Sequence, residues 1–335
     1  MADVPDVSIV IVTWNGRQHL ARCLAAVAAQ RGVSTETILV DNASSDGTVE
    51  YVRRAFPWVR LVALTENRGF AGGNNAGAAV ATGRTILCLN NDTEAEPDCV
   101  RRLLDALDDR ERFALSTARI VYMHDPDVVD SAGDGYLRAG GAFKHVHGRS
   151  AALASTSREV FGVCGAACLL PRALFTRLGG FDEDFFFSHE DVDLSYRARL
   201  LGYRCRYVAD AVVHHHGSGT SGKASDFAVF QGQRNLEWVY VKNTPAPLLL
   251  RTLPAHLLYT AAAGVYFARV GRFGAFVRAK VAALTGLPLM LRKRAEVQRT
   301  RAVSPAVLTA QMDRGWLRAK IQEKRFDAGM VEDGL

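Results

Sequence analysis

Four short apolar segments in the first 92 residues constrain the fold most strongly, because helix-like sequence separates each from the next. The first, Val7–Val12, is nearly all β-branched, which is typical of a strand buried on both faces. Glu36–Val40, Val59–Leu64 and Thr85–Leu89 are the other three segments. This β-α alternation predicts an α/β fold with a parallel, Rossmann-like sheet.

Three of these predicted strands end in polar loops, which would line one edge of the sheet. Asp41 follows the second strand and can accept hydrogen bonds from a base or a ribose. We interpret Gly69–Gly77 as a loop whose glycines let the backbone approach a ligand, with Asn74 and Asn75 as amide donors. A flexible turn before a tightly packed helix is the alternative. No Gly-x-Gly-x-x-Gly follows the first strand, so the dinucleotide-binding fingerprint is absent.

The fourth predicted strand stops at Asn90-Asn91-Asp92. Ligands of open α/β sheets gather at the carboxyl ends of strands. Asp92 at this place can hold a divalent cation, which prefers oxygen ligands and can share a phosphate. An Asx turn that simply ends the strand explains the same residues, and the triplet alone does not decide between the two.

The second part of the chain starts with little periodicity. Residues 122–160 are rich in Gly, His, Ser and Asp, and we expect an irregular acceptor-side lid there, because long loops are usually functional. Phe161–Leu170 follows with many small residues, which indicates close packing against a ligand or another strand.

Between Gly179 and Leu194, acidic residues alternate with four phenylalanines. An apolar wall raises the pKa of a neighbouring carboxylate and makes it a usable proton acceptor near neutral pH. We expect Ser188 to cap a helix that runs to Leu201, with Glu190 and Asp191 in its first turn. Favourable interaction with the helix dipole is the alternative explanation for these two acids.

A further strand within Tyr203–Val213 leads into His214-His215-His216. Adjacent histidines at a strand end can supply an imidazole to a metal, although a structural role stays open. Gly217–Gly222 is expected to form a flexible loop on the phosphate side.

The charge is concentrated in the last third of the chain. The chain has a net charge of +6. Nine Lys or Arg residues but only one acidic residue lie between Arg269 and Arg301. Such a segment favours an anionic surface, such as lipid headgroups or acceptor phosphates, and no motif supports nucleic acid. Thr252–Ala268 carries no charged residue, and Val281–Leu291 precedes Arg292-Lys293-Arg294. These helices suit a membrane surface or a subunit interface in a homo-oligomer.

The cysteines and the N-terminus predict a cytoplasmic protein. The six cysteines form no Cys-x-x-Cys pair, so we expect buried, reduced thiols. The N-terminus lacks the positive region of a signal peptide. We therefore expect a cytoplasmic catalytic part, peripheral on the inner face of the cell membrane.

Five segments in a fixed order carry a family resemblance, and they are Thr13-Trp14-Asn15, Val40–Ser44, Asn67–Asn74, Leu89–Asp92 and His189–Leu194. Over residues 7–240 the chain resembles the inverting family 2 glycosyltransferases of the GT-A fold, especially bacterial rhamnosyltransferase-like members. The resemblance implies a GT-A domain over 1–243, with a nucleotide-binding half (1–120) and an acceptor half (121–243). Residues 244–335 would form a helical, apolar and basic extension that associates with membranes or oligomerises.

The resemblance also implies site residues. The predicted nucleotide-binding residues are Thr13, Asn15, Asp41, Asn42, Arg68, Gly69, Phe70, Asn74, Asn75 and Asn91. Asp92 and His215 would bind Mg²⁺ or Mn²⁺, with His214 or His216 as alternatives to His215. Asp191 would be the base, paired with Glu190. The donor and acceptor pocket would include Gly165, Ala166, His189 and His216.

The predicted activity is metal-dependent, inverting transfer of a sugar, with rhamnose as a candidate. The donor would be a UDP- or dTDP-sugar, and the acceptor a hydroxyl of a cell-envelope or lipid-linked glycan. Two alternatives remain at this stage. One is a catalytically weak sugar-nucleotide-binding or membrane scaffold protein. The other is a nucleotidyltransferase, which would need a basic Gly-rich loop that Thr13–Arg17 does not provide.

Overall fold

A computed structural model describes residues 4–217 and 225–315, together with Lys320, Ile321, Glu323 and Phe326. Within these residues a ten-stranded, mostly parallel sheet lies between helices, and a small two-stranded sheet stands beside it. The predicted α/β architecture is confirmed.

Twelve strands are described, and their bounds are β1 (Val7–Thr13), β2 (Thr35–Asp41), β3 (Arg60–Ala63), β4 (Thr85–Asn90), β5 (Thr93–Ala95), β6 (Phe113–Tyr122), β7 (Val129–Ser131), β8 (Asp134–Tyr136), β9 (Ala142–Lys144), β10 (Arg158–Val160), β11 (Ala167–Pro171) and β12 (Arg204–His215). The main sheet has the order β10-β12-β6-β11-β4-β1-β2-β3, with β5 beside β12 and β7 beside β6. Strand β11 runs antiparallel to both of its neighbours, β4 and β6.

The described helices are α1 (Arg17–Ala28), α2 (Thr48–Ala55), α3 (Gly69–Val80), α4 (Cys99–Asp105), α5 (Arg172–Arg177), α6 (Glu190–Leu200), α7 (Asp226–Asn243), α8 (Ala246–Arg269), α9 (Phe273–Thr285), α10 (Leu287–Arg299) and α11 (Pro305–Ala310). Short 3-10 helices cover Ala151–Ala154 and Glu183–Phe185. Successive residues of a strand face opposite sides of the sheet. Ile9 therefore lies in one apolar cluster and Val10 in another, on the other face.

The register of the first four strands brings their carboxyl ends together. Thr13 of β1 pairs with Asp41 of β2, and Val12 pairs with Asn90 of β4, all in parallel. The polar residues that follow these strands therefore meet at one edge of the sheet.

Helix α3 differs from the predicted loop over Gly69–Gly77, because it begins at Gly69. A Cβ on Gly73 would lie 2.5 Å from Cγ1 of Val12, and one on Gly77 would lie 2.4 Å from Cγ1 of Val10. These two glycines allow the helix to pack closely on the sheet. The prediction of a loop over these residues is therefore wrong, whereas contact of a ligand with the start of α3 stays a prediction.

The segment 122–160 also differs from the prediction of an irregular lid. It contains β7, β8, β9 and β10 and the first of the 3-10 helices, and Val129–Asp134 has mostly buried side chains. Side chains of this segment pack inside the domain, so their polar atoms can contribute to a buried site.

The C-terminal helices pack against the acceptor half. Trp238 Nε1 of α7 donates to the Ala283 carbonyl of α9 at 3.2 Å, and Lys293 Nζ of α10 lies 2.5 Å from Asp184 Oδ2. Arg294 Nη1 donates to the Val241 carbonyl at 2.5 Å. These contacts cross the predicted boundary at residue 243, and the division of the chain into domains stays a prediction.

Two C-terminal elements have the length and composition of a membrane span. Helix α8 has 24 residues with a mean hydropathy of 1.2, and 28% of its apolar window is buried. Helices α9 and α10 meet the same criteria together, with a bend of 58° between them. The six cysteines are buried and free in the described chain, as expected.

Candidate active site

The loop after β1 forms one wall of the site. Asn91 Nδ2 donates to Thr13 Oγ1 at 2.9 Å, and both side chains are buried. A Cβ on Gly16 would lie 2.1 Å from Asn91 Nδ2, so a glycine is required where the loop passes this amide. Thr13 and Asn91 thus connect the ends of β1 and β4.

Asp41, at the end of β2, holds the clearest open acceptor of this wall. Its Oδ2 accepts a hydrogen bond from the Ser44 backbone N–H at 3.1 Å. Its Oδ1 is buried and has no hydrogen-bond partner among the described residues. An unpaired buried acceptor is costly, and a donor group of a bound ligand would remove that cost.

Asn15 and Trp14 shape the opening beside Asp41. Asn15 adopts a left-handed conformation, with φ of 49°, and its Oδ1 accepts from the Ser45 N–H at 2.8 Å. Its own N–H donates to Ser44 Oγ at 2.9 Å. Trp14 is not among the predicted site residues, and its side chain is 44% exposed next to these loops.

Asn42 is used inside the protein. Its Nδ2 donates to Asn67 Oδ1 at 2.9 Å and to the Gly69 carbonyl at 3.0 Å, while its Oδ1 accepts from the Arg68 N–H at 2.9 Å. These bonds hold the turn that starts α3. Direct contact of Asn42 with a nucleotide stays a prediction.

Gly69 and Phe70 join this turn to the acceptor half. Gly69 has φ of 67°, and a Cβ there would lie 2.2 Å from the Phe186 carbonyl oxygen. Phe70 contacts Phe181 edge to face at 5.5 Å between ring centroids. Arg68 Nη2 lies 2.6 Å from Glu183 Oε2. The start of α3 is therefore fixed by the loop that precedes α6.

The two asparagines of α3 make protein contacts. Asn74 Nδ2 donates to the Phe70 carbonyl at 2.9 Å. Asn75 Nδ2 donates to the Phe181 carbonyl at 2.9 Å, and its Oδ1 accepts from the Phe181 N–H at 2.9 Å. Both amides stabilise local structure, and their predicted contacts with ribose or phosphate stay untested.

Asp92 and His215 lie side by side, although 123 positions separate them. His215 Nε2 is 3.3 Å from Asp92 Oδ1, and its Nδ1 is 2.7 Å from Asp130 Oδ2. Burial lowers the pKa of His215, but the hydrogen bonds and charges of Asp130 and Asp92 outweigh it and raise the pKa to about 9. Burial likewise opposes ionisation of Asp92, yet His215 keeps the pKa of Asp92 below its ordinary value.

The other two histidines of the triplet point elsewhere. His214 Nε2 is 3.4 Å from Glu96 Oε1. The His216 ring contacts the His19 ring at 4.9 Å, and both line a cavity of about 270 Å³ that Asp92 also lines. Of the predicted loop Gly217–Gly222, only Gly217 belongs to the described residues.

A divalent cation would have two protein ligands at this place. Across residues 4–217 and 225–315, no group of three or more His, Cys, Asp or Glu side chains is arranged to hold a metal. Asp92 and His215 beside an open cavity still fit an Mg²⁺ or Mn²⁺ ion, because such ions commonly take one or two protein carboxylates together with substrate phosphates and water.

Asp191 begins the opposite wall, in the first turn of α6. Its Oδ2 accepts from the Gly165 N–H at 2.8 Å, and its Oδ1 accepts from the Val192 N–H at 2.8 Å. Burial raises the pKa of Asp191, against the effect of these two bonds. The neighbouring Ala166 carbonyl accepts from the Asn90 N–H at 3.1 Å, which places this carboxylate close to the end of β4.

Glu190 differs from Asp191 in its surroundings. Burial and the charge of Asp191 raise the pKa of Glu190 well above its ordinary value. Its Oε2 is buried and without a partner anywhere in the described parts of the chain. Neighbouring carboxyl groups whose pKa values differ are a recurring feature of sites that transfer protons. In such a pair, one carboxyl group stays protonated while the other is ionised.

The loop before α6 is strained. Phe186, Ser188 and His189 all have φ between 61° and 71°, which is uncommon for residues other than glycine. His189, and not Ser188, precedes the first residue of α6, and Ser188 Oγ lies 3.0 Å from His189 Nδ1 instead of capping the helix. Burial lowers the pKa of His189 to about 4, so its ring is neutral at physiological pH.

Two buried carboxyl groups and one partly buried lysine of the site could not be predicted from the sequence. Asp130, Asp134 and Lys144 lie in the segment interpreted as irregular, and Lys144 Nζ is 2.8 Å from Asp130 Oδ1. Burial, and then the charge of Asp191, raise the pKa of Asp134. Strands β7, β8 and β9 have only three residues each, so no periodicity could reveal which side chains face inward.

Comparison with known proteins agrees with this geometry. The profile of the family described as "Glycosyl transferase family 2" matches residues 8–179. An N-acetylglucosaminyl-diphospho-decaprenol L-rhamnosyltransferase of Mycobacterium tuberculosis is 30% identical over 67% of this chain and 79% of its own length. The chain belongs to glycosyltransferase family 2. The predicted family and enzyme class are thereby confirmed.

Another relative of this family 2 glycosyltransferase matches a shorter stretch at higher identity. The succinoglycan biosynthesis protein ExoO of Rhizobium meliloti is 40% identical over 106 residues, which are 31% of this chain and 30% of ExoO.

Two solved structures share the fold. The mannosyltransferase PcManGT of Pyrobaculum calidifontis, in complex with GDP-Man and Mn²⁺, has a TM-score of 0.51 at 20% identity and covers 92% of this chain and 86% of its own. GalNAc-T7 with UDP, GalNAc and Mn²⁺ has a TM-score of 0.57 at 16% identity, over 72% of this chain and 48% of its own. The predicted GT-A fold is confirmed.

Proposed function

We propose that this glycosyltransferase transfers a sugar from a UDP- or dTDP-sugar to an acceptor hydroxyl with inversion at the anomeric carbon. The observation that carries the proposal is the pairing of two walls across the end of β4. Asp92 follows β4 and lies beside His215. Asp191 binds the N–H of Gly165, and the adjacent Ala166 carbonyl accepts from the Asn90 N–H at the end of β4.

The nucleotide would lie across the ends of β1 and β2. The unpaired Asp41 Oδ1 can accept an N–H of a uracil or thymine ring. Thr13 and Asn15 would border the base, and the exposed face of Trp14 offers it a stacking surface. The N-terminus of α3, from Arg68 to Phe70, would face the ribose and the diphosphate, where the positive end of the helix dipole favours anions.

Asp92 and His215 would hold the Mg²⁺ or Mn²⁺ ion that accompanies the diphosphate. When bound, this cation would supply neutralisation of the charge that develops on the leaving diphosphate. PcManGT and GalNAc-T7 were both solved with Mn²⁺, which supports a divalent cation here.

Asp191 would act as the general base. Its carboxylate accepts the proton of the acceptor hydroxyl while that oxygen forms a bond to the anomeric carbon. The bond from this carbon to the phosphate oxygen breaks, and the nucleoside diphosphate leaves with the electron pair. A single displacement of this kind inverts the configuration. Glu190 would remain protonated beside the base.

The sugar would lie between these walls, against Gly165 and Ala166, with His189 and His216 at its margins. A Cβ on Gly165 would lie 3.1 Å from Asp191 Oδ2 and 3.2 Å from Phe70 Cζ, so a side chain there would narrow this space. Rhamnose is our candidate, because the 30% identical relative is named as an L-rhamnosyltransferase.

A lipid-linked or cell-envelope glycan acceptor fits the exposed face of α8 and α9. Leu257, Leu258 and Leu284 are 59%, 62% and 69% exposed. An apolar groove of about 440 Å³ lies between these helices, and α9, which lines it, belongs to the basic segment 269–301. Apolar side chains with clustered cations favour an anionic membrane surface. We therefore place the enzyme peripherally on the cytoplasmic face of the cell membrane.

Turnover tests the proposed reaction directly. Release of nucleoside diphosphate is measured from UDP- and dTDP-sugars, including dTDP-rhamnose, with hydroxyl acceptors and Mn²⁺. We expect release by the wild-type chain, and its loss on removal of Mn²⁺ and in Asp92→Ala. Donor binding without release from any donor and acceptor pair would instead support the sugar-nucleotide-binding alternative.

Vesicle binding tests the membrane surface. The triple variant Leu257→Ser, Leu258→Ser and Leu284→Ser should lose sedimentation with vesicles that contain phosphatidylglycerol. Leu153→Ser removes an equally exposed leucine from the 3-10 helix at Ala151–Ala154 and should have no effect. Unchanged sedimentation of the triple variant would contradict the proposal. If the wild-type chain is a dimer and the triple variant is a monomer, these leucines form a subunit interface instead.

A further inference from the structure

We propose that Asp130 is a positioning residue for the metal site, and that Lys144 fixes the carboxylate of Asp130 in its place. The proposal rests on the proposed function, since it takes Asp92 and His215 as the residues that hold the cation.

The imidazole of His215 is fixed from both sides. Its Nδ1 lies 2.7 Å from Asp130 Oδ2, and its Nε2 points to Asp92 Oδ1 at 3.3 Å. A histidine whose Nδ1–H donates to a carboxylate presents Nε2 in a fixed direction, in which a metal ion would replace the Nε2 proton. Asp130 therefore selects both the tautomer and the ring orientation that a cation bound at Asp92 needs.

Asp130 itself is immobilised by contacts on its other atoms. Lys144 Nζ lies 2.8 Å from Oδ1, Tyr122 Oη donates to Oδ1 at 3.3 Å, and His147 Nδ1 lies 2.7 Å from the backbone carbonyl. These contacts leave Oδ2 directed at His215. Asp130 is fully buried, at 1% exposure.

The positions of the two strands that carry Asp130 and Lys144 explain how these residues come to lie behind His215. Asp130 lies in the middle of β7, which pairs with β6 next to β12, the strand that ends at His215. Lys144 ends β9, opposite Asp134 of β8. The segment 122–160 thus brings a carboxylate and an ammonium group behind the metal site, in addition to its packing role.

Mn²⁺ affinity distinguishes positioning from a purely structural ion pair. The full-length chain is titrated with Mn²⁺ in the presence of UDP or dTDP, and free Mn²⁺ is followed by electron paramagnetic resonance. Asp130→Asn keeps the size of the side chain but removes its charge. We expect Mn²⁺ affinity to fall by about 10- to 100-fold, while nucleotide affinity without metal stays unchanged. Lys144→Met should cause a smaller loss in the same direction.

Glu237→Gln is the matched control. Glu237 of α7 is a partly buried carboxylate that lies 2.7 Å from His256 Nε2 and 2.5 Å from Lys280 Nζ, so it forms a similar His-carboxylate-Lys group in the C-terminal helices. The Glu237→Gln variant should have a lower melting temperature than the wild type but the same Mn²⁺ affinity. Wild-type Mn²⁺ affinity in both Asp130→Asn and Lys144→Met would overturn the proposal. Failure of the wild-type chain to bind Mn²⁺ with either nucleotide would instead overturn the metal assignment of the proposed function.

Discussion

The different roles proposed for Asp191 and Asp92 agree with the different partners of the two side chains. Asp92 faces the imidazole of His215 and is held ionised by it, whereas Asp191 accepts only backbone N–H groups and has its pKa raised by burial. An ionised carboxylate suits a cation, and a carboxylate with a raised pKa suits a proton. Local environment therefore assigns the two roles.

The base assignment predicts a change in rate and in its pH dependence. Asp191→Asn should lower kcat by about 10²- to 10⁴-fold with donor affinity retained. In the wild type, kcat/KM should fall as the pH decreases through the pKa of Asp191, which lies above the ordinary 3.8. This acidic limb should be missing from the residual rate of the variant. Asp109→Asn, an exposed position, should keep the wild-type profile, and wild-type kcat in Asp191→Asn would contradict the assignment.

The open acceptor of Asp41 predicts a loss of nucleotide affinity. Asp41→Ala removes the atom that a base N–H would meet, and the unpaired donor should cost about 1–3 kcal/mol, or at least several-fold in affinity. Calorimetric titration with UDP and dTDP measures this loss. Asp98→Ala, an exposed carboxylate 3.7 Å from Arg102, serves as the control. Equal affinities in all three proteins would show that Asp41 does not contact the base.

Residues at strand ends could be predicted because short buried strands reveal themselves through β-branched runs. Asp41, Asp92 and His215 all follow or end such a run. Asp130 and Lys144 could not be predicted, because three-residue strands have no detectable period. Their contacts arise from tertiary pairing alone.

At the scale of elements, α3 shows how composition can mislead. Glycines and asparagines are typical of loops, and the sequence from Gly69 to Gly77 was interpreted accordingly. The close approach of this helix to β1 and β2 overrides that preference, since only glycine fits under Val10 and Val12. The positions of the first four strands, in contrast, agree with the prediction to within one or two residues.

The packing of α3 gives a stability prediction. Gly77→Ala places a Cβ 2.4 Å from Val10 Cγ1 and 3.0 Å from Val40 Cγ2. We expect overpacking to cost about 1–3 kcal/mol, partly offset by up to about 1 kcal/mol of helix propensity. Gly274→Ala in α9, whose nearest described atom is Arg278 Nη1 at 3.5 Å, should be neutral or stabilising. Urea unfolding compares the two, and equal stabilities would contradict the packing argument.

The junction of α6 and α7 depends on Asp193. This buried carboxylate lies 2.8 Å from Arg197 Nε and 2.8 Å from Lys242 Nζ. Burial opposes its ionisation, but these cations hold the pKa of Asp193 well below its ordinary value. The stabilisation is therefore present above about pH 4, near the unfolded pKa, and is lost as the pH falls towards the folded pKa.

Asp193→Asn should therefore lower the free energy of unfolding at neutral pH by about 3–5 kcal/mol, because Arg197 loses its carboxylate partner and Lys242 keeps only Asp182. Its stability should also decline less than that of the wild type on acidification. The exposed pair Arg101–Asp105, at 3.1 Å, provides the control, since Asp105→Asn should cost less than about 1 kcal/mol. Thermal unfolding across pH measures both, and equal effects of the two variants would contradict this account.

At the scale of the whole molecule, two halves meet where β4 pairs with β11. Asp41 and Asp92 come from residues 1–120, the proposed nucleotide-binding half, and Asp191, His215 and Asp130 come from residues 121–243, the proposed acceptor half. The C-terminal helices are fixed to the acceptor half through Trp238 and Lys293, so an acceptor anchored at a membrane would approach from the side of the base. This direction of approach follows from the topology of the chain. It could not be deduced from the order of the sequence motifs alone.

The anomeric configuration of the first product tests the central claim most directly. With a donor that the wild-type chain consumes, proton NMR during the earliest turnovers compares the anomeric coupling of the product with that of the donor. A single displacement with Asp191 as the base predicts the opposite configuration. A product with the configuration of the donor would contradict the proposed mechanism.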